Sequence, residues 1–178
     1  MKAKIKVKVL ALGCLPIISN NGDWIDLKSS IDFDCHAAQS GTLKNTTIDS
    51  TKVKYRDVTT DVYKIPLGIA VKLPDGYEAI VGSRSSSSIK LNMFIPNGIG
   101  IIDNSYSGNN DEWNYIMSPL KAVSFKVGDR ICQFRIQLSQ KATIWQKIKW
   151  LFTSGIEIVE VEDLGNKNRG GLGSTGVN

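Results

Sequence analysis

Residues 4–9 alternate strictly, with Ile5, Val7 and Val9 on one face and Lys4, Lys6 and Lys8 on the other. That is the two-residue period of a half-buried strand. Further β-rich runs occupy residues 62–73, 77–83, 99–102, 122–125, 131–138 and 156–161, each bounded by Gly, Pro, Asn or Asp. Pro74-Asp75-Gly76 and Val127-Gly128-Asp129 supply turns between such runs, because Pro presets its φ and Gly accepts positive φ. Residues 39–58 are polar and weakly patterned, which predicts a loop holding one short strand. One segment departs from the β period. Across residues 141–152, Ile144, Trp145, Ile148, Leu151 and Phe152 recur at helical spacing, with Lys141, Lys147 and Lys149 mostly elsewhere. This predicts a short helical insert whose apolar stripe packs on the β core; a membrane-surface or partner-binding patch is the less favoured reading. The pattern as a whole predicts an all-β domain of sandwich, jelly-roll or barrel type.

A chain of 178 residues, 42% of them hydrophobic, suffices for one such core. The net charge of +5 is spread along the chain rather than gathered into a block. It therefore points to an anionic ligand such as phosphate and not to a nucleic-acid-binding arm. Cys14, Cys35 and Cys132 are odd in number, widely spaced and without a Cys-x-x-Cys, which fits neither a disulfide framework nor a zinc site. A cytoplasmic location is expected, or a host cytoplasm if the source is viral. The basic and apolar alternation at the N-terminus reads as neither a signal peptide nor a membrane span.

Five segments carry candidate chemistry. Asp32-Phe33-Asp34-Cys35-His36 offers two carboxylates that could face metal-bound water, although a capped strand end explains them as simply. His36, the only histidine, has no neighbouring nucleophile motif and reads as structural. Gly82-Ser83-Arg84-Ser85-Ser86 follows a predicted strand, where a guanidinium, hydroxyls and backbone N–H groups could hold phosphate oxygens. A polar loop or helix cap is the plainer reading of that run alone.

In the segment from Asn97 to Gly108, an apolar strand ends on Asp103 and is turned by Asn, Ser and Gly. Asp103 is either a turn former or a group that orients an attacking water, and Tyr106 either a half-buried wall residue or a platform for a sugar ring. The glycines would let main-chain groups read a base edge. In Gly128-Asp129-Arg130-Ile131-Cys132-Gln133, Asp129 and Arg130 read as a structural ion pair, and Gln133, inside an apolar run, needs a polar partner such as phosphate or water. Last, Arg169-Gly170-Gly171-Leu172-Gly173-Ser174-Thr175-Gly176 combines a forked cation, wrapping glycines and hydroxyls. It lacks the Gly-Lys-Ser/Thr of a Walker loop, which excludes an ordinary P-loop ATPase.

Taken in order, the five segments resemble the five motifs of the trimeric dUTPase family, most closely at residues 84–86, at residues 128–133 and in the tail. The resemblance implies a jelly-roll-like β subunit in a homotrimer, with residues 1–168 as the β domain. Residues 169–178 would form a flexible tail that closes a neighbouring subunit's active site. It implies Mg2+-dependent hydrolysis of dUTP to dUMP and pyrophosphate. In that reading Asp103 holds the water that attacks the α-phosphate and Tyr106 stacks on deoxyribose. Asn97 and the backbone of Gly100, Ile101 and Ile102 read uracil. Arg84, Ser85, Ser86 and Gln133 contact phosphates, Arg169, Ser174 and Thr175 clamp the distal ones, and Asp34 reaches magnesium through water.

The sequence departs from the family pattern in four places. Asp32 replaces a glycine, Ser105 a second acid, Ser107 an arginine, and Leu172 the aromatic that covers the base. The rival readings are a dCTP deaminase of the same fold, for which Glu112 is the candidate acid/base, and a dUTPase-like binding protein that acts through protein contacts.

Overall fold

The computed structural model describes residues 1–20, 22–35, 62–119 and 121–171 with their side chains, and the backbone of residues 41–48 and 51–58. Its first strands are β1 (Ala3–Val9), β2 (Ile17–Ile18), β3 (Ile25–Lys28), β4 (Phe33–Cys35), β5 (Gly41–Ile48), β6 (Thr51–Val58), β7 (Tyr63–Lys72) and β8 (Tyr77–Ser83). After the single turn α1 (Ser87–Lys90) come β9 (Met93–Phe94), β10 (Gly100–Ile102), β11 (Glu112–Pro119), β12 (Val123–Phe125) and β13 (Arg130–Leu138). Helix α2 (Ile144–Leu151) and strand β14 (Ile156–Glu160) complete the described chain.

Two five-stranded sheets, ordered β14-β1-β7-β11-β9 and β10-β8-β13-β3-β2, bury one shared core. The alternation in β1 does what its period requires: Ile5 and Val7 are fully buried, while Lys4 and Lys6 face water. Trp113 from the first sheet meets Phe134 from the second edge to face, with ring centroids 5.1 Å apart, and locks the sheets together. The all-β expectation holds, and every strand predicted from a β-rich run is present. Strand β11 was not predicted, although its buried Trp113, Tyr115 and Met117 alternate with the half-buried Glu112, Asn114 and Ile116. Its acidic start and terminal proline mask that period.

Gly68 shows how β7 adapts to its neighbours. It takes a positive φ of 64° in the strand interior, and a Cβ there would lie 2.8 Å from the Cβ atoms of both Ala11 and Ser30. Only glycine tolerates both conditions. Its N–H donates to Glu112 Oε1 at 3.0 Å, opposite an irregularity in the β7–β11 register.

Two expectations are corrected. Residues 39–58 do not form a loop with one strand: β5 and β6 pair antiparallel from Gly41↔Val58 to Ile48↔Thr51. Two strands satisfy each other's backbone groups without a strong apolar alternation, which is why the pattern under-reads them. The second correction concerns α2. Its start is well specified, with Thr143 and Gln146 forming a reciprocal capping box. Its apolar stripe does not pack on the core, however; Trp145 is 76% exposed and Phe152 71%, with Ile144 and Leu151 similar. The polar side faces the body instead. Gln146 packs against Gly76, and Gln146, Lys149 and Thr153 share a depression with Lys2, Lys4 and Lys6. The surface beneath the helix is the lysine face of β1, so it meets the helix's polar side.

This placement yields contrasting stability effects. Phe134→Ala, which empties a fully buried site between the sheets, should cost about 3–5 kcal/mol. Trp145→Ser, which alters an exposed position, should stay within about 0.5 kcal/mol of the parent in denaturant unfolding.

Candidate active site

Strand β10 pairs with β8 through Gly100↔Val81, Ile101↔Ile80 and Ile102↔Ala79, and carries the chain to Asp103 at its end. There a turn closes with Tyr106 N–H donating to the Asp103 carbonyl at 3.0 Å. The Asn104 carboxamide fastens this turn to the body by donating to the carbonyls of Pro74 at 2.8 Å and Tyr77 at 3.1 Å. Half-buried Tyr106 donates its hydroxyl to the Glu112 carbonyl at 2.8 Å. Burial, with Asp111 and Glu112 nearby, pushes the Tyr106 phenol above its ordinary pKa, so it stays a neutral ring with a fixed plane.

These residues line a cleft of about 350 Å3. Of the residues predicted for the site, Asn97, Gly100, Ile101, Ile102, Asp103, Tyr106 and Arg169 all border it. Lys64, Trp113 and Tyr115 contribute further wall, which the linear motifs gave no reason to expect. Exposed Asp103 receives Arg169 Nη1 on Oδ2 at 2.9 Å. Gly171 passes beside the hydroxyl end of Tyr106, where a Cβ would lie 3.3 Å from the Tyr106 oxygen.

The root of the tail is held by a group that sequence reasoning missed. Asp111 is 1% exposed, and its carboxylate accepts the backbone N–H groups of Gly108 at 2.8 Å, Arg169 at 2.9 Å and Gly170 at 3.0 Å. Burial alone would raise its pKa, but these N–H donors and that of Ser107 hold it below the usual carboxylate range. Asparagines lace the same two segments together. Asn166 donates to Ser107 Oγ at 2.8 Å, Asn109 accepts from Leu164 N–H at 3.0 Å, and Asn168 accepts from Asn110 N–H at 2.9 Å. At Gly108 a Cβ would lie 2.5 Å from the Asn168 Cα, so this contact requires glycine. The signal available in the sequence was a run of asparagine and aspartate in each segment, which composition alone reads as two loops.

A second group forms where β3, β8 and β13 run side by side. Asp26, buried between Ile25 and Leu27 of β3, accepts Arg84 Nε on Oδ1 and Arg130 Nη1 on Oδ2, each at 2.9 Å. The expected Asp129–Arg130 pair is therefore not the one made. Asp129 instead accepts the Lys126 N–H at 2.8 Å within the turn, because the turn points its carboxylate back toward the preceding backbone. Gln133 finds its polar partner by donating to the Ser83 carbonyl at 3.1 Å. Ser85 is exposed and Ser86 caps α1 with its backbone. Among the described residues, Arg84, Ser85, Ser86 and Gln133 do not border the cleft, nor does Asp34 on β4. His36, Leu172, Ser174 and Thr175 lie outside the described residues. Cys14, Cys35 and Cys132 are buried and take part in no disulfide, and among the described residues no helix is long and apolar enough to cross a membrane. Among the described residues no three acid, histidine or cysteine side chains converge as a metal cage.

Comparison with known proteins adds the following. A family model described as dUTPase matches residues 49–175. The chain is 38% identical over 157 residues to the SPbeta prophage-derived deoxyuridine 5'-triphosphate nucleotidohydrolase YosS of Bacillus subtilis, covering 88% of this chain and 85% of that protein. It is 35% identical over 117 residues to the deoxyuridine 5'-triphosphate nucleotidohydrolase of Hydrogenobaculum, covering 64% of this chain and 69% of that protein. In fold it is similar to the dUTPase of Streptococcus mutans, with a TM-score of 0.57 at 17% identity, covering 75% of this chain and 94% of that one. It is also similar to the dUTPase of Staphylococcus bacteriophage 80alpha with dUPNHPP, with a TM-score of 0.55 at 18% identity, covering 97% and 98%.

Two outcomes follow from the charge geometry. Asp26→Ala leaves two guanidinium groups without their shared buried acceptor and should cost about 3 kcal/mol, read by denaturant unfolding. Because the folded-state pKa of Asp111 is depressed, its contribution to stability is complete above the ordinary carboxylate range and is lost as pH falls through that lower value. Hydrogen exchange at the Arg169 and Gly170 amides should show protection that collapses on acidification through that window, while amides of β13 keep theirs.

Proposed function

The chain belongs to the dUTPase family, and on that premise we propose that it hydrolyses dUTP to dUMP and pyrophosphate. The observation that carries the reading is the convergence of Asn97, residues 100–102, Asp103, Tyr106 and Arg169 on one cleft. Asn97 and the backbone of Gly100, Ile101 and Ile102 face the uracil edge. The Tyr106 ring lies against deoxyribose, where a 2′-hydroxyl would clash. Asp103, exposed at the cleft border, orients and deprotonates the water that attacks the α-phosphate. Pyrophosphate is the leaving group.

The phosphate-gripping side chains Arg84, Ser85, Ser86 and Gln133 do not border the same chain's cleft. That division supports a homotrimer in which one subunit's cleft meets the phosphate group of another. Residues 169–171 lie along the cleft of their own chain, and the tail beyond them would continue to the phosphates held by a neighbouring subunit. There Ser174 and Thr175 clamp the distal phosphates, and Leu172 covers the base less fully than an aromatic would.

The donor set fits magnesium carried on the substrate: among the described residues no three acid, histidine or cysteine side chains form a cage, and exposed Asp34 would reach the ion through water. When bound, Mg2+ neutralises charge on the phosphates. The deaminase reading requires Glu112 as a free acid/base near the pyrimidine, but one oxygen of its carboxylate is committed to the Gly68 N–H. That observation favours hydrolysis.

Pyrophosphate release measured with dUTP, dCTP, dTTP and UTP in the presence of Mg2+ should show turnover of dUTP alone. Asp103→Asn should lower kcat by about a hundredfold to ten-thousandfold with little change in KM. A mutant at the wild-type rate would remove Asp103 from the mechanism, and ammonia release from dCTP would replace hydrolysis with deamination.

A further inference from the structure

The Asp103–Arg169 pair is open to solvent, with 58% of the Asp103 side chain and 35% of the Arg169 side chain exposed. Exposed pairs of this kind are held by no more than about 1 kcal/mol. Such a contact does not explain why the tail root lies over the cleft. The backbone of the same residue is held quite differently. Arg169 and Gly170 both donate their N–H groups to a carboxylate that is almost wholly out of water, and the Asn168 side chain adds a further tie to Asn110. Asp111 has no described contact with the cleft space itself.

We propose that Asp111 is a positioning residue for the reaction: it clamps the peptide of Arg169 to the turn that carries Asp103, so that the guanidinium pivots from a fixed root. The inference rests on the dUTP-hydrolysis reading. In the empty cleft the guanidinium rests on Asp103. When a triphosphate enters, it exchanges that weak contact for a phosphate, releases Asp103 to its water, and needs no movement of the main chain. The buried clamp makes the difference between a side chain that changes partner and a tail that must be ordered at every turnover.

The test is a double-mutant cycle on the full chain, with Asp111→Asn, Arg169→Gln and the pair. Asparagine keeps the shape but removes one acceptor and the charge, and turns N–H donors toward N–H donors. Asp111→Asn alone should lower kcat/KM for dUTP about tenfold, the scale of lost charge-assisted hydrogen bonds. In the Arg169→Gln background the same change should cost about twofold or less, because its effect passes through Arg169. Equal losses in both backgrounds, or a lower Tm with unchanged kinetics, would make Asp111 a structural residue and overturn the proposal. Trypsin cleavage after Arg169, which needs no turnover, should be faster in Asp111→Asn; unchanged cleavage also overturns it. If the wild-type chain fails to hydrolyse dUTP while cleavage accelerates in Asp111→Asn, the clamp stands and the functional reading fails. Should Asp111→Asn not fold, Asn168→Ala removes the second tie from the tail side without touching the core, and should show the same dependence on Arg169.

Discussion

A carboxylate taken out of water is tolerated only where enough donors surround it, and Asp111 meets that condition by drawing in two stretches of backbone about sixty residues apart. The cleft owes its present form to this one group. The backbone at Ser107 and Gly108, just past the turn after β10, and the root of the C-terminal tail are both referred to the same two oxygens. With those segments tied, the tail root passes beside the Tyr106 hydroxyl at Gly171, and Asp103 gains a cationic neighbour. The asparagines around it distribute the tie, and Gly108 clears the space the two backbones need.

The second carboxylate, Asp26, solves the same problem by another route. It sits between two buried aliphatic residues of β3 and gathers guanidinium groups from the neighbouring β8–α1 link and β13. Arg84 is thereby pre-oriented while a quarter of its side chain stays exposed. If this group grips phosphate as proposed, a guanidinium already held in place on a sheet would lose little entropy on engaging it. The cleft and this cationic group stand apart within one chain, and the proposed homotrimer would bring one subunit's cleft to the cationic group of another.

Helix α2 obeys a different rule. A helix turns its apolar stripe inward only when an apolar surface lies beneath it, and here the surface is the lysine row of β1 and the turn at Gly76. Its capping box fixes where it starts, not which way it faces. The same lysine spacing that identified β1 as a half-buried strand therefore decides the orientation of an insert about 140 residues later.

Periodicity was sufficient for β1, β7, β8, β13 and β14, because burial on one face writes a two-residue rhythm directly into the chain. It was also sufficient for the turns at Gly76 and Gly128, whose positive φ demands glycine. The ordered motifs marked Asn97, residues 100–102, Asp103, Tyr106 and Arg169, which the fold does bring to one cleft. Strand β11 carries the same rhythm in Trp113, Tyr115 and Met117, although it went unread; the β5–β6 pair, the partner of Arg130, the outward face of α2 and the Asp111 clamp were decided by tertiary structure alone. Each depends on which group a polar atom meets across a long loop, and local rhythm carries no record of that. A carboxylate reads the same in a sequence whether it will face water, a guanidinium or four N–H groups; only the packed chain makes the choice.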